Sequence, residues 1–209
     1  MRLSSLSEIK MLALQSKYQL WEDAKSQNRD VKLYMHWTAG GWWQVFPDYH
    51  INIDADGEVY VSTENFAEVL SHTYCRNTGS IGITLCCCAD ADTNSLNSYP
   101  PTAKQIESMA KVVCVLADAL DLTIDKARVM THGEAADNED GLDLYYPDYN
   151  GYPNNMYGPK HSCERWDLEY LGTAESPSFN PYAEDGSRGG DILRGKANWY
   201  RAQKLSSTL

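Results

Sequence analysis

Val31-Lys-Leu-Tyr-Met-His-Trp37, running into Thr38-Ala-Gly-Gly41, is a β-type stretch that ends on an imidazole and a small-residue turn. A second stretch, Ser80–Cys88 (SIGITLCCC), is nearly all apolar and reads as a central strand buried on both faces. Tyr49–Ile53 and Glu58–Ser62 flank Asp54-Ala-Asp-Gly57, a hairpin signal in which Gly57 supplies a positive φ. That turn lacks the third acidic position and the distal Glu of a calcium loop. Ala127–Thr131 is a short strand leading into His132-Gly-Glu134. Three helical patterns lie between and around these strands. Residues 5–27 open on a Ser5/Glu8 capping box, Ala103–Leu120 carries one apolar stripe, and Asp191–Leu205 has Asp191 as its cap. Strands alternating with helices predict an α/β fold: a central mixed β-sheet flanked by helices, with extra N- and C-terminal helices.

The chain has 209 residues, enough for one domain with extensions. The expected division is 1–173 with the N-terminal helix packed on it, then 174–209 as linker and C-terminal helix. The C-terminal helix has mixed charge and a short apolar stripe, which predicts docking onto the domain rather than onto a membrane. A net charge of −11 argues against a nucleic-acid partner, because nothing supplies a Lys/Arg stripe for phosphate. No apolar run approaches the length that spans a bilayer, so stable membrane insertion is not expected. Glu8, Lys10 and Lys17 interrupt the N-terminal apolar run, so no secretory signal is read there and cytoplasmic synthesis is expected. The six cysteines show no CxxC spacing, and three are consecutive at Cys86–Cys88, so they read as small buried hydrophobes.

Two histidines at strand ends, His36 and His132, and a downstream Asp167 in Arg165-Trp-Asp167-Leu form the minimum set for a catalytic zinc with one open position. His161 and Cys163 are nearby rivals for the third ligand, and the other reading of Asp167 is a cap for a helix starting at Leu168. The Tyr-, Asp- and Gly-rich segment from Asp137 to His161 reads as a long, ordered, functional loop.

Taken in order, HWTAG, YHINIDADGEVY, SIGITL, PTAKQIESMAKVV, THGEAAD and RWDL resemble the type-2 N-acetylmuramoyl-L-alanine amidases, over about residues 30–171. These include many phage endolysins and share a fold with the peptidoglycan recognition proteins. The resemblance implies Zn2+ held by His36, His132 and Asp167. It implies cleavage of the amide between N-acetylmuramic acid and L-alanine of the stem peptide, with both as the groups bound. A zinc with two neutral imidazoles and one carboxylate keeps positive charge, acidifies a water and polarises an amide carbonyl. The family's Tyr before the second-motif His and Lys before the third ligand fall on Tyr49 and Arg165. Arg165 keeps the charge but cannot shuttle a proton, so it is assigned to oxyanion or carboxylate stabilisation. Recycling-type relatives carry a Glu where Thr84 stands, which leaves Tyr49, Glu134 and the zinc-bound hydroxide as alternatives for the base. Glu134 is expected to orient a ligand imidazole, His72 to contact substrate, and Trp37, Trp42 or Trp43 to stack on a sugar. With no leader, the resemblance further implies an endolysin that acts on the cell wall after release by a holin-like partner. The alternatives are a non-catalytic peptidoglycan-binding module and a cytosolic amidase of soluble anhydro-muropeptides.

Overall fold

The computed structural model describes residues 1–137, 139–140 and 165–206. The elements in chain order are β1 (Arg2–Leu3), α1 (Leu6–Ser26), β2 (Lys32–Trp37), β3 (Ile51–Ile53), β4 (Val59–Val61), β5 (Ser80–Leu85), α2 (Ala103–Leu120), β6 (Val129–Thr131), α3 (His132–Ala136) and α4 (Gly189–Ser206). Six strands form one mixed sheet in the order β1-β4-β3-β5-β2-β6. The β3–β5, β5–β2 and β2–β6 pairs are parallel, whereas β4 runs antiparallel to both β3 and β1.

Period-two alternation gives the sheet two unlike faces. Leu33, Met35, Ile51, Ile53, Ile81, Ile83 and Leu85 all belong to the main core together with the apolar stripes of α1 and α2. The intervening residues Tyr34, His36, Asn52, Ser80 and Thr84 are just as buried but mostly polar. Burying that many polar groups is tolerated only where each finds partners. His36, Asn52 and Ser80 find them, so much of the second face is a hydrogen-bonded layer, although the buried Tyr34 hydroxyl has no partner among the described residues. Gly82 shows how tight it is: a Cβ there would lie 2.6 Å from the His72 ring.

Local signals set the element boundaries. Ser5 caps α1 and Glu8 reaches back to the Ser5 amide; Thr102 and Gln105 do the same for α2. Gln105 then donates its amide to the carbonyls of Ile53 and Cys86, tying α2 to the sheet. Gly57 turns the β3–β4 hairpin at φ 80°, and Asp54 Oδ1 accepts from the amides of Asp56 and Glu58 across the turn. The edge strand β1 is too short to leave a sequence pattern, yet it pairs with β4 and places Ser5 to start α1. The α4 helix begins two residues before the expected cap, so Asp191 lies inside its first turn and receives a hydrogen bond from Arg194. Leu193 and Ala197 bury α4 in the main core. Cys86, Cys87, Cys88 and Cys114 are buried free thiols, while Cys75 is exposed.

Candidate active site

His36 is the fifth residue of β2, on the polar face, and pairs in register with Thr84 of β5. His132 follows β6 directly as the first residue of α3, whose cap is the Thr131 hydroxyl. Because β2 and β6 are parallel neighbours, both imidazoles leave the same end of the sheet. Asp167 comes from a distant segment. No helix begins there: Leu168 sits at φ 64°, a turn that sends the chain back, and the helix-cap reading of Asp167 is thereby replaced. The Gly133 amide donates to the Asp167 carbonyl at 3.1 Å, which pins this turn beside α3.

The three side chains converge. His36 Nδ1 and His132 Nδ1 are 3.0 Å apart, and Asp167 Oδ2 lies 3.1 Å from His132 Nδ1 and 3.7 Å from His36 Nδ1. All three residues are buried, and their ligand atoms lie within 4.8 Å of one another. Two imidazole nitrogens facing each other at this separation repel unless a proton or a cation lies between them. Burial lowers the His36 pKa to about 4, the adjacent His132 pushing the same way against the pull of Asp167. Asp167 is held well below the usual carboxylate range: burial opposes its charge, but Arg165 and His132 outweigh that penalty. Its second oxygen, Oδ1, is buried and has no hydrogen-bond partner among the described residues. Two imidazoles, an ionised carboxylate and an orphaned carboxylate oxygen fit a divalent cation of the zinc type.

The second layer orients the first. Thr73 Oγ1 lies 3.4 Å from His36 Nε2 and 2.9 Å from His72 Nδ1. A proton on His36 Nε2 donated to Thr73 leaves Nδ1 as the free lone pair, the tautomer that ligation needs. Sequence reasoning missed Thr73; its only signal is adjacency to His72. His50 belongs to the same layer, with Nδ1 accepting from the Gly82 amide at 3.0 Å and Nε2 donating to the Glu68 carbonyl at 2.9 Å. Those bonds fix it as a neutral ring, and burial lowers its pKa to about 4.

Arg165 Nη2 reaches Asp167 Oδ2 at 2.9 Å, the Tyr49 hydroxyl at 3.1 Å and the Trp37 carbonyl at 2.9 Å. The Arg165 side chain is 22% exposed, and all three of these bonds are made through Nη2. A cavity of about 350 Å³ opens over this group, bordered by Thr38, Phe46, Asp48, Tyr49, His72, His132 and Arg165. Burial pushes the Tyr49 hydroxyl up to about 12 despite the nearby Arg165. Tyr49 is thus a neutral phenol at neutral pH.

Several expected positions fall elsewhere. Glu134 does not orient an imidazole: its carboxylate accepts the Thr131 amide at 2.8 Å and pairs with both Nη atoms of Arg194 at 2.7 Å. It locks α3 to α4 instead. Trp37 points to the core face and packs edge-on against Trp166, leaving no open ring for a sugar. Trp42 is half-buried, donates to the Pro100 carbonyl and meets Trp43 and Tyr99 edge-on, outside the cavity lining. Trp43 is exposed but is likewise not among the residues bordering that cavity. Thr84 is buried between His36 and Asn52, so this strand puts no carboxylate beneath the histidine. His161, Cys163 and most of the Asp137–His161 loop lie outside the described residues.

With this geometry in place, a family model for N-acetylmuramoyl-L-alanine amidase matches residues 14–142, more than half of the chain. The chain belongs to the N-acetylmuramoyl-L-alanine amidase family. The match takes in His36, Tyr49 and His132 and stops before Arg165 and Asp167, whose place in the site rests on the distances above. Among solved structures, the chain is similar to an endolysin N-acetylmuramoyl-L-alanine amidase from Clostridium intestinale at 18% identity, over 50% of this chain and 70% of that one, with a TM-score of 0.37. It is also similar to an endolysin from the Thermus scotoductus bacteriophage Ph2119 at 20% identity, over 50% of this chain and 72% of that one, with a TM-score of 0.39. No curated protein matches it. No helix among the described residues of this amidase is long and apolar enough to cross a membrane.

Proposed function

We propose that this amidase hydrolyses the bond between the lactyl carbonyl of N-acetylmuramic acid and L-alanine in peptidoglycan, with zinc at His36, His132 and Asp167. The observation that carries this reading is the convergence of three buried ligand atoms, remote in the chain, beneath a cavity that also holds Arg165 and Tyr49. A zinc ion held there would act as a Lewis acid on the amide carbonyl and the attacking water.

The chain's own groups supply the rest. His36 and His132 meet the ion as neutral donors, and Asp167 adds one negative charge. Thr73 holds His36 in the ligating tautomer. Arg165, kept charged by Asp167 and Tyr49 although burial works against it, borders the cavity and supplies positive charge beside the space where charge grows on the carbonyl oxygen. Tyr49, protonated and held by Arg165, adds a second donor to the same oxygen. Glu134 is committed to Arg194 and takes no part as a base. His72 borders the cavity as a neutral ring, burial holding its pKa well below the usual value, and is assigned to substrate contact. The cell-wall role we infer is that of a phage-type endolysin released by a membrane-permeabilising partner.

The test is mass analysis of the products from a defined muramoyl-peptide, with and without chelator. Release of an intact stem peptide beginning at L-alanine, lost on chelation and restored by zinc, supports the assignment. Cleavage at another bond, or cleavage indifferent to chelator, overturns it.

A further inference from the structure

A second cavity, of about 460 Å³, lies between α2 and α4 and is bordered by Glu107, Gly195, Lys196, Trp199 and Tyr200. It sits in the helical layer, whereas His36 and His132 occupy the polar face of the sheet. Helical spacing sets two rows side by side on α4: Gly195 above Trp199, and Lys196 above Tyr200. The Trp199 and Tyr200 rings meet at 77° with centroids 5.0 Å apart, forming a corner. The Tyr200 wall is fixed, because its hydroxyl donates to Glu107 Oε2 at 2.6 Å and Lys111 Nζ stands 5.4 Å from the ring centre. The Trp199 wall is 57% exposed, a large indole face that the fold does not use.

Gly195 sharpens the reading. An interior helical glycine is destabilising relative to alanine and is normally retained for a close approach. Here a Cβ at Gly195 would meet nothing within 4 Å, so no neighbour in the fold requires the glycine. The space it keeps open lies one helical turn from the exposed indole. Glu107 and Lys196 are already paired with each other, so the residues bordering the cavity balance in charge, with the Lys111 ammonium behind the Tyr200 ring, although the chain is strongly acidic.

We propose that this corner is a saccharide-binding site for a neutral pyranose of the glycan strand, separate from the amidase centre. A pyranose has an apolar face for the Trp199 indole and hydroxyls for the carboxylate and ammonium of the Glu107–Lys196 pair, and it carries no charge that would need compensating. The choice of N-acetylhexosamine as the sugar rests on the peptidoglycan reading above; the site itself does not.

The test follows the indole Nε1–H resonance of Trp199 by NMR while a β-1,4-linked N-acetylglucosamine tetramer is titrated into the full chain. The expected result is a saturable shift of the Trp199 indole and of the Lys196 and Tyr200 backbone amides, with the affinity read on those amides lost at least tenfold in Trp199→Ala and in Gly195→Leu, which fills the open floor. Both variants should cleave a soluble muramoyl-peptide at the wild-type rate and intact sacculi several-fold more slowly. Failure of the wild-type chain to cleave the soluble fragment would count against the amidase assignment and leave the titration readable. The saccharide proposal is overturned by a tetramer that shifts only resonances around His132, by no saturable shift, or by Trp199→Ala and Gly195→Leu variants that bind unchanged. It is also overturned if Trp199 proves to be covered by a second copy of the chain, seen as a dimer that dissociates in Trp199→Ala.

Discussion

Acidification should unfold the metal-free protein by a route the buried polar layer makes quantitative. His36 and His50 are driven to about 4 chiefly by burial, and His72 is driven well below its usual value. Each is neutral in the native chain, whereas in the unfolded chain each takes up a proton near about pH 6.5. Between about pH 6.5 and about pH 4 the unfolded state therefore binds about three more protons through these rings, so stability falls as pH falls. Glu169 works the other way: burial raises its carboxyl to about 7 although Arg188 pulls it back, so in the same window the native state holds one proton that the unfolded state lacks. The net difference is about two protons, a slope of about 3 kcal/mol per pH unit near pH 5 and a total loss of about 3 kcal/mol between about pH 6.5 and about pH 5. Asp167 does not enter, because a lowered carboxyl loses its contribution only below the unfolded value of about 4. The assay is urea unfolding at a series of pH values with chelator present. His50→Gln, outside the ligand set, should flatten the slope by about one proton, or about 1.4 kcal/mol per pH unit. A flat profile, stability that rises on acidification, or a His50→Gln slope equal to the wild type's would refute the neutral-histidine layer.

Three further outcomes follow from particular contacts. Arg194→Met strands the buried Glu134 carboxylate and the Val129 carbonyl it serves, and should cost about 3–5 kcal/mol, read as a Tm lower by about 10 °C in calorimetry. Arg165→Ala should lower turnover by about 10²–10³-fold with zinc retained, measured by kinetics and metal analysis on one preparation; loss of the metal as well would reassign Arg165 to positioning Asp167. Gly195→Ala should raise stability by about 0.5–1 kcal/mol in urea unfolding, since the added methyl meets nothing.

How much of this was legible in the sequence differs by element. The α2 bounds at Ala103 and Leu120 and the Ser5/Glu8 capping box could be read directly, because both depend on interactions within a few residues. His36 and His132 could be placed at strand ends, but only the parallel β2–β6 pairing brings them together. Glu134 was misjudged because its spacing from Thr131 and its proximity to His132 are visible in the chain, whereas Arg194, sixty residues away, is not. Trp37 was misjudged because a one-residue step along β2 carries a side chain to the opposite face, and His36 had already claimed the cavity side. The buried polar layer of His50, His72 and Thr73 had no pattern of its own, since strand alternation of apolar and polar residues ordinarily signals a solvent face. The saccharide corner was equally hidden, because its walls come from α4 and its carboxylate from α2.

The proposed chemistry needs one cation gripped by two imidazoles and a carboxylate. X-ray absorption at the zinc edge, with metal content measured on the same sample, tests this most directly. The prediction is one zinc per chain with two imidazole nitrogens and oxygen ligands in its shell, lost in His132→Ala. A chain that retains no zinc, or a shell containing sulfur, would contradict it.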